Sequence, residues 1–147
     1  MDKYQDFYFE LRRKIDEWLN TKVGGTHLWS GYILAAPDLF HLLVKLLLDK
    51  DIPETKKLKI AAAIFYFISP IDFLPEAFLG PVGYLDDIAI SAYVLNDVIN
   101  EVDPKIITRN WAGGRDVLAL TKTILQNANR MIGSGLWMKL KRTFAKI

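Results

Sequence analysis

Apolar side chains recur every three or four residues along most of the chain, which is the period of an amphipathic helix. The pattern is clearest near the start, where charged residues occupy the other faces. The apolar positions there are Tyr4, Phe7, Tyr8, Leu11, Ile15 and Trp18. No segment shows the strict alternation that is typical of a half-buried strand. We therefore expect an all-α protein.

Glycine and proline residues predict where the helices begin and end. We expect Gly24-Gly25 to end the first helix and Pro37 to occupy the first turn of a second helix, over 37–49. Further helices are predicted over 55–68, from 84 to about 102, in a short segment after Asp103-Pro104, over 117–132 and over 136–146. The expected architecture is a compact bundle in a single domain, 1–147.

The segment between the third and fourth long helices predicts a reversal of the chain. Ser69-Pro70-Ile71-Asp72 has the order of a helix start, with a serine N-cap, a proline in the first turn and an acid at the third helical position. Pro75 and the glycines Gly80 and Gly83 limit this piece to one or two turns. The bundle is thus expected to be built around a helical hairpin with a short Pro/Gly-rich connecting segment.

Composition narrows the class of protein. The chain has 147 residues, of which 51 % are hydrophobic, enough apolar material for one core. It has no cysteine, which excludes disulfides, thiolate metal sites and cysteine nucleophiles. The polar, mixed-charge start predicts no signal peptide, and we expect a cytoplasmic protein.

A conventional transmembrane helix is not expected from the apolar runs. The longest of them, Ile60–Ile71, has 12 residues between Lys59 and Asp72, whereas a membrane span needs about 18 to 20. A protein bound at the membrane surface is still allowed by this pattern.

Charge is unevenly distributed along the sequence. The formal net charge is +2 overall, but it is zero over 1–50, −4 over 51–100 and +6 over 101–147. The global charge does not indicate nucleic-acid binding, and we expect no nucleic-acid partner. An acidic middle and a basic end predict two different surfaces.

One motif resembles a known family. It runs from Tyr66 through Ser69-Pro70-Ile71-Asp72 and Pro75-Glu76 to Gly83-Tyr84-Leu85-Asp86-Asp87, inside a core motif that we place at 59–95. This pattern resembles the YkvA-like family, a bacterial domain of unknown function. The resemblance implies association with a membrane and no particular activity. Glu76 stands where the family usually has an aspartate.

Four carboxylates of this motif could converge: Asp72, Glu76, Asp86 and Asp87. Like charges in close proximity must be compensated. Helix capping would do this, since acids are favoured in the first turn of a helix. A divalent cation, or an ion pair with Arg109, Arg115 or a lysine of 56–59, would do it as well. So would protonation of a carboxyl group in a membrane-facing pocket.

The cation alternative predicts a site with oxygen ligands. Such a site would suit Mg²⁺, Mn²⁺ or Ca²⁺ rather than zinc, because neither His27 nor His41 is spaced to join the cluster. It would make the protein a cation-binding protein or a metal-dependent hydrolase. His41 is interpreted as a core histidine with one backbone partner rather than a catalyst, and no catalytic residue is assigned.

The C-terminal segment, 134–147, predicts a basic amphipathic helix. Trp137, Leu140 and Phe144 fall on one side, while Lys139, Lys141, Arg142 and Lys146 occupy the other. This pattern is typical of a helix that binds an anionic membrane surface. The alternative is that the apolar side packs on the bundle and the basic residues are solvated.

These observations favour a non-enzymatic protein at the inner face of the cytoplasmic membrane, bound through its basic C-terminal helix, with an exposed apolar hairpin as a second candidate contact. The carboxylate cluster supports the cation-dependent alternative. A third alternative is an adaptor protein, with an apolar groove that receives a helix of a protein partner.

Overall fold

The structure, a computed structural model, describes residues 2–69 and 83–147, and within these ranges it contains helices and no strand. The predicted all-α fold is confirmed. The helices are α1 (Asp2–Leu19), α2 (Lys22–Thr26), α3 (Ser30–Leu48), α4 (Glu54–Ile68), α5 (Leu85–Ile99), α6 (Pro104–Asn110), α7 (Val117–Ile132) and α8 (Ser134–Ala145).

Helix α3 lies at the centre of the bundle and packs against α1, α4 and α5. Its Phe40 is 1 % exposed and joins three helices. The centre of the Phe40 ring lies 4.7 Å from that of Phe7 in α1 and 5.5 Å from that of Phe67 in α4. The strong apolar pattern of the second predicted helix therefore corresponds to the middle of the core.

Helices α4 and α5 pack side by side in antiparallel directions. Tyr66, near the end of α4, contacts Asp86 at the start of α5, while Lys56, near the start of α4, contacts Asp97 toward the end of α5. The two helices therefore form the predicted hairpin. The predicted Pro/Gly-rich turn over 70–82 lies outside the described residues.

Helix α3 begins earlier than predicted. It starts at Ser30, so that Pro37 lies inside the helix instead of in its first turn. An internal proline removes one backbone hydrogen bond and costs roughly 3 kcal/mol in an isolated helix. Here Ile33, one turn before Pro37, and Leu39, two residues after it, are fully buried, and their packing offsets that cost.

The predicted role of Gly24-Gly25 is also wrong. Helix α1 already ends at Leu19, and both glycines lie inside the short helix α2. Thr21 caps α2 by accepting a hydrogen bond from the Gly24 N–H at 3.0 Å. A Cβ atom at Gly24 would collide with the backbone of Trp18, so the glycine allows α2 to fold back against α1.

The last three helices begin and end near the predicted positions. Asp103 caps α6 and Asp116 caps α7, each by accepting hydrogen bonds from backbone N–H groups. Gly133 alone separates α7 from α8 and has φ +88°, a conformation that favours glycine. Helix α8 therefore starts at Ser134, two residues before the predicted start.

One helix among the described residues, α3, is long and apolar enough to cross a membrane by length and composition. It has 19 residues, and its most apolar window has a mean hydropathy of 1.5. The sequence interpretation divided this stretch at Pro37 and so did not identify it. The core helix of a folded domain meets the same criteria, and 56 % of that window is buried in the bundle.

Candidate functional site

Two acidic residues of the motif lie at the start of α5. The chain enters this helix through a short turn at Gly83 and Tyr84, and the Tyr84 ring stacks on Phe67 of α4 at 6.2 Å. Asp86 and Asp87 follow in the first helical turn, as predicted. Their side chains are buried, with exposed fractions of 0 % and 1 %.

Hydrogen bonds from Tyr66 and from the helix backbone hold the carboxyl group of Asp86. Its Oδ2 accepts a hydrogen bond from the Tyr66 hydroxyl at 2.8 Å, and its Oδ1 accepts one from the Asp87 backbone N–H at 3.0 Å. The second bond satisfies a backbone donor that an α-helix leaves free in its first turn. Asp86 therefore stabilises the start of α5 and also ties it to α4.

Asp87 is anchored through its backbone. The hydroxyl of Ser91, one turn further along α5, donates a hydrogen bond of 2.7 Å to the Asp87 carbonyl. Ser91 is itself fully buried. The first two turns of α5 thus form a buried polar segment within an otherwise apolar core.

The other members of the predicted motif are only partly covered by the structure. Asp72, Glu76, Pro70 and Pro75 lie outside the described residues. Ser69 is the C-cap residue that follows α4, and its backbone N–H donates a hydrogen bond of 2.8 Å to the Phe65 carbonyl. Its predicted role as the N-cap of the following turn concerns residues that are not described.

The described residues contain no group of three or more histidine, aspartate or glutamate side chains arranged to hold a metal ion. Only two of the four predicted ligands, Asp86 and Asp87, belong to this part of the chain. The predicted Mg²⁺, Mn²⁺ or Ca²⁺ site therefore stays a prediction.

The lysines proposed as ion-pair partners of the cluster have other partners. Lys56 is buried, and its ammonium group lies 2.8 Å from both Asp97 and Glu101. The hydrogen bonds to these two carboxylates raise the pKa of Lys56, and the bond to Asp97 has the largest effect. Lys59 also approaches Asp97, at 3.6 Å. The basic residues at the start of α4 therefore bind the acidic residues at the end of α5 and hold this end of the helix pair together.

Arg109 likewise has different partners from those predicted. Its guanidinium group lies 2.9 Å from Asp49 and 2.7 Å from Asp51, in the connection between α3 and α4. Asn110 donates a further hydrogen bond of 2.8 Å to Asp49. The bond from Asn110, the Asp51 backbone N–H and Arg109 together lower the pKa of Asp49 to about 2.

The apolar side of α8 is covered by the bundle. Trp137, Leu140 and Phe144 are 5 %, 2 % and 4 % exposed. Trp137 packs edge-on against Tyr93 of α5 at 6.0 Å, and Phe144 packs against Tyr66 of α4 at 6.2 Å. The predicted membrane contact of these three side chains does not hold in this arrangement, because the protein core already buries them.

The polar side of α8 faces solvent. Lys139, Arg142 and Lys146 are exposed, and Lys141 is half-buried with its ammonium group 5.2 Å from the centre of the Trp137 ring. Met138 lies among these cations and is 58 % exposed. The exposed side of α8 is therefore cationic, with the apolar side chain of Met138 among the charges.

His41 lies at the edge of the core. Its ring is 5.6 Å from that of Tyr8, and burial together with the charge of Lys45 lowers its pKa. Its buried Nδ1 has no hydrogen-bond partner among the described residues. The expected backbone partner is thus absent at this atom, although the location at an apolar helix face agrees with the core interpretation.

An apolar cleft runs between α1, α3 and α4. It has a volume of about 460 Å³, and its lining includes Tyr4, Leu47, Ile64 and Phe65. The Phe65 side chain is 74 % exposed. An adaptor protein would need a groove of this kind for its partner helix, and that alternative stays a prediction.

Comparison with known proteins places the hairpin in a family. Residues 56–93 match the model of a protein of unknown function, DUF1232. An uncharacterised protein, ORF9 of Methanothermobacter thermautotrophicus, is 30 % identical over 105 residues, which are 71 % of this chain and 72 % of that protein. The chain belongs to the DUF1232 family. No solved structure shows significant similarity to it.

The DUF1232 match overlaps the predicted core motif, 59–95, almost completely. It contains Tyr66, Asp86 and Asp87, so the hydrogen bond between the two helices lies within the family region. Helices α7 and α8, with the cationic surface, lie outside it. The DUF1232 region therefore supplies the hairpin, and the C-terminal helices supply the charged surface.

Proposed function

We propose that this DUF1232 protein binds peripherally to an anionic membrane surface through the exposed cationic side of its last two helices. The observation that carries the proposal is the charge of α7 and α8. After Asp116 the chain contains no aspartate or glutamate, but it has six basic residues: Lys122, Arg130, Lys139, Lys141, Arg142 and Lys146.

The energy of such binding comes mainly from electrostatic attraction. A basic residue close to an anionic leaflet contributes about 1 kcal/mol, so the four cations of α8 together supply roughly 4 kcal/mol. That attraction decreases with added salt, because ions screen it beyond a Debye length of about 8 Å at physiological ionic strength. Met138 adds an exposed apolar contact within the same surface. The structure supports a helix that binds while still docked on the bundle.

The finer resemblance to the YkvA-like proteins is consistent with this proposal. It implies membrane association, and the inner face of the cytoplasmic membrane carries the anionic lipids that a cationic surface would bind. The proposal assigns no catalytic residue and places the protein at that surface as a non-enzymatic component.

Charge reversal on α8 tests the proposal. Arg142→Glu combined with Lys146→Glu changes two exposed positions one helical turn apart. The matched control, Lys50→Glu with Lys105→Glu, makes the same change in net charge at exposed positions away from α8. Co-sedimentation with vesicles containing phosphatidylserine measures the partition coefficient of each variant.

We expect the partition coefficient of the α8 variant to be at least tenfold lower than that of the wild type. The control should show a much smaller decrease. Equal losses in the two variants would show that only net charge matters and would contradict a binding surface on α8. Circular dichroism of both variants confirms that the helices are retained.

A divalent-cation site is the second candidate, favoured by the burial of two adjacent carboxyl groups, Asp86 and Asp87. Bound cations often compensate charges in such positions. Calorimetric titration with Mg²⁺, Mn²⁺ and Ca²⁺ on the wild type and on Asp86→Ala tests it. Heat of binding that disappears in the variant supports a metal site. A variant that is less stable while no cation binds to either protein supports a capping role.

A further inference from the structure

We propose that Leu28, in the connection between α2 and α3, is an apolar anchor that enters the same membrane. This inference rests on the proposed function, because it extends the cationic surface to a second element. The Leu28 side chain is 73 % exposed, among the highest fractions of the large apolar residues described. A single exposed leucine is common on protein surfaces, so the proposal depends on its surroundings.

The connection that carries Leu28 is held in place on both sides. The Trp29 backbone N–H donates a hydrogen bond of 3.1 Å to His27 Nδ1, and the His27 ring lies 5.6 Å from Trp18 of α1. The Ser30 N–H donates to the His27 carbonyl at 3.1 Å. Leu28 is therefore presented at the tip of an ordered turn, and little conformational entropy would be lost when it enters a membrane.

The residue after Leu28 joins this turn to the cationic helices. The Trp29 ring stacks on Tyr32 at 5.7 Å with an angle of 19° between the planes. The guanidinium group of Arg130, near the end of α7, lies over Trp29 at 5.6 Å. Asn127 of α7 donates a hydrogen bond of 3.2 Å to the Tyr32 hydroxyl.

Arg130 therefore belongs both to the cationic surface and to the surroundings of Leu28. It is one of the six basic residues of the C-terminal helices, and it contacts the aromatic pair beside Leu28. Helix α8 begins only four residues after it. The Leu28 turn is therefore joined to the C-terminal helices through Arg130 of α7.

The side chains around Leu28 have the chemistry of a membrane interface. Tryptophan and tyrosine are enriched at the level of lipid headgroups, where an apolar ring and a polar group are both satisfied. Arginine at the same level pairs with anionic headgroups. The exposed side chain of Leu28 would then enter the acyl region next to these headgroup contacts. The positive charge of Arg130 favours an anionic lipid surface over an uncharged one.

The test compares Leu28→Ser with Leu58→Ser. Leu58 is exposed to a similar extent, 65 %, but lies near the start of α4. Helix α3, with 19 residues and a length of roughly 28 Å, lies between the two positions in the chain. Partitioning to vesicles of phosphatidylserine and phosphatidylcholine is measured over a range of salt concentrations.

We expect Leu28→Ser to reduce partitioning about tenfold, the effect of removing one buried leucine. The reduction should be the same at every salt concentration, because the lost contact is apolar. Leu58→Ser should bind as the wild type does. Bromine-labelled lipid should quench tryptophan emission in the wild type, and Trp29→Phe should remove part of that quenching.

Equal partitioning of Leu28→Ser and Leu58→Ser would overturn the anchor. If the wild type still required anionic lipid in that case, the proposed function would stand without it. If the wild type did not bind anionic vesicles at all, both proposals would fail.

Discussion

The hydroxyl group of Tyr66 donates a hydrogen bond of 2.8 Å to the buried carboxyl group of Asp86, and this bond joins the end of α4 to the start of α5. The ring of the same tyrosine packs against Phe144 of α8. Tyr66 therefore connects the hairpin that defines the DUF1232 family with the C-terminal helix that carries the cationic surface.

Removing the Tyr66 hydroxyl should destabilise the fold. We expect Tyr66→Phe to lower the free energy of unfolding by about 1–3 kcal/mol, because a buried acceptor loses a donor. Tyr93→Phe is the matched control, since Tyr93 also packs against an aromatic ring of α8. Urea denaturation measures both variants. A Tyr66→Phe protein as stable as the control would show that this bond does not hold the hairpin.

The apolar side of α8 should contribute strongly to stability. Phe144→Ala removes a side chain that is 4 % exposed, and we expect a loss of about 3–5 kcal/mol. Met138→Ala, on the exposed side of the same helix, should change the free energy of unfolding by less than about 0.5 kcal/mol. Similar losses in the two variants, measured by urea denaturation, would contradict the docking of α8 through Phe144.

The connection between α7 and α8 requires a glycine at position 133 but not at position 135. Gly133→Ala should cost about 1–3 kcal/mol, because φ +88° is strained for a residue with a Cβ atom. Gly135→Ala, inside α8 with open space around its Cα, should leave stability unchanged or raise it by up to about 1 kcal/mol. Thermal unfolding compares the pair. A reversed order of melting temperatures would contradict the geometry at Gly133.

Acid should weaken the contact between Asp49 and Arg109. The pKa of Asp49 falls from 3.8 to about 2 in the folded protein, so the unfolded chain binds its proton more readily. The stability from this group is therefore fully present above about pH 4 and is lost as the pH falls toward 2.

Asp49→Asn should show a smaller loss of stability than the wild type between pH 5 and pH 2. Glu54→Gln, which makes the same change from acid to amide at a side chain that is 91 % exposed, is the control. Urea denaturation at a series of pH values provides the comparison. An unchanged acid dependence in Asp49→Asn would show that the cluster around Asp49 does not contribute.

Most helices could be predicted from the sequence, because their apolar residues follow the helical period. The start of α3 could not, since Pro37 ordinarily marks a first turn and only the burial of Ile33 and Leu39 compensates for it inside the helix. The position of Gly24 depends on its contact with Trp18. Neither of these tertiary contacts can be predicted from the local pattern of apolar and polar residues.

The candidate site was predictable in part. Asp86 and Asp87 were expected in a first helical turn, and they are there. The partners of Lys56 and Arg109 were not found, because Asp97 is 41 residues from Lys56 and Asp49 is 60 residues from Arg109. The sequence pattern allowed the apolar side of α8 to bind either the bundle or a membrane, and only the packing distinguishes the two.

Partitioning of the wild-type protein to vesicles of increasing phosphatidylserine content tests membrane association most directly. Flotation at low and high salt, with pure phosphatidylcholine as the reference, gives the partition coefficient for each composition. We predict that binding increases steeply with the anionic fraction and decreases several-fold with added salt. Binding that is absent, or equal on neutral and anionic vesicles, would contradict an electrostatic membrane surface on α7 and α8.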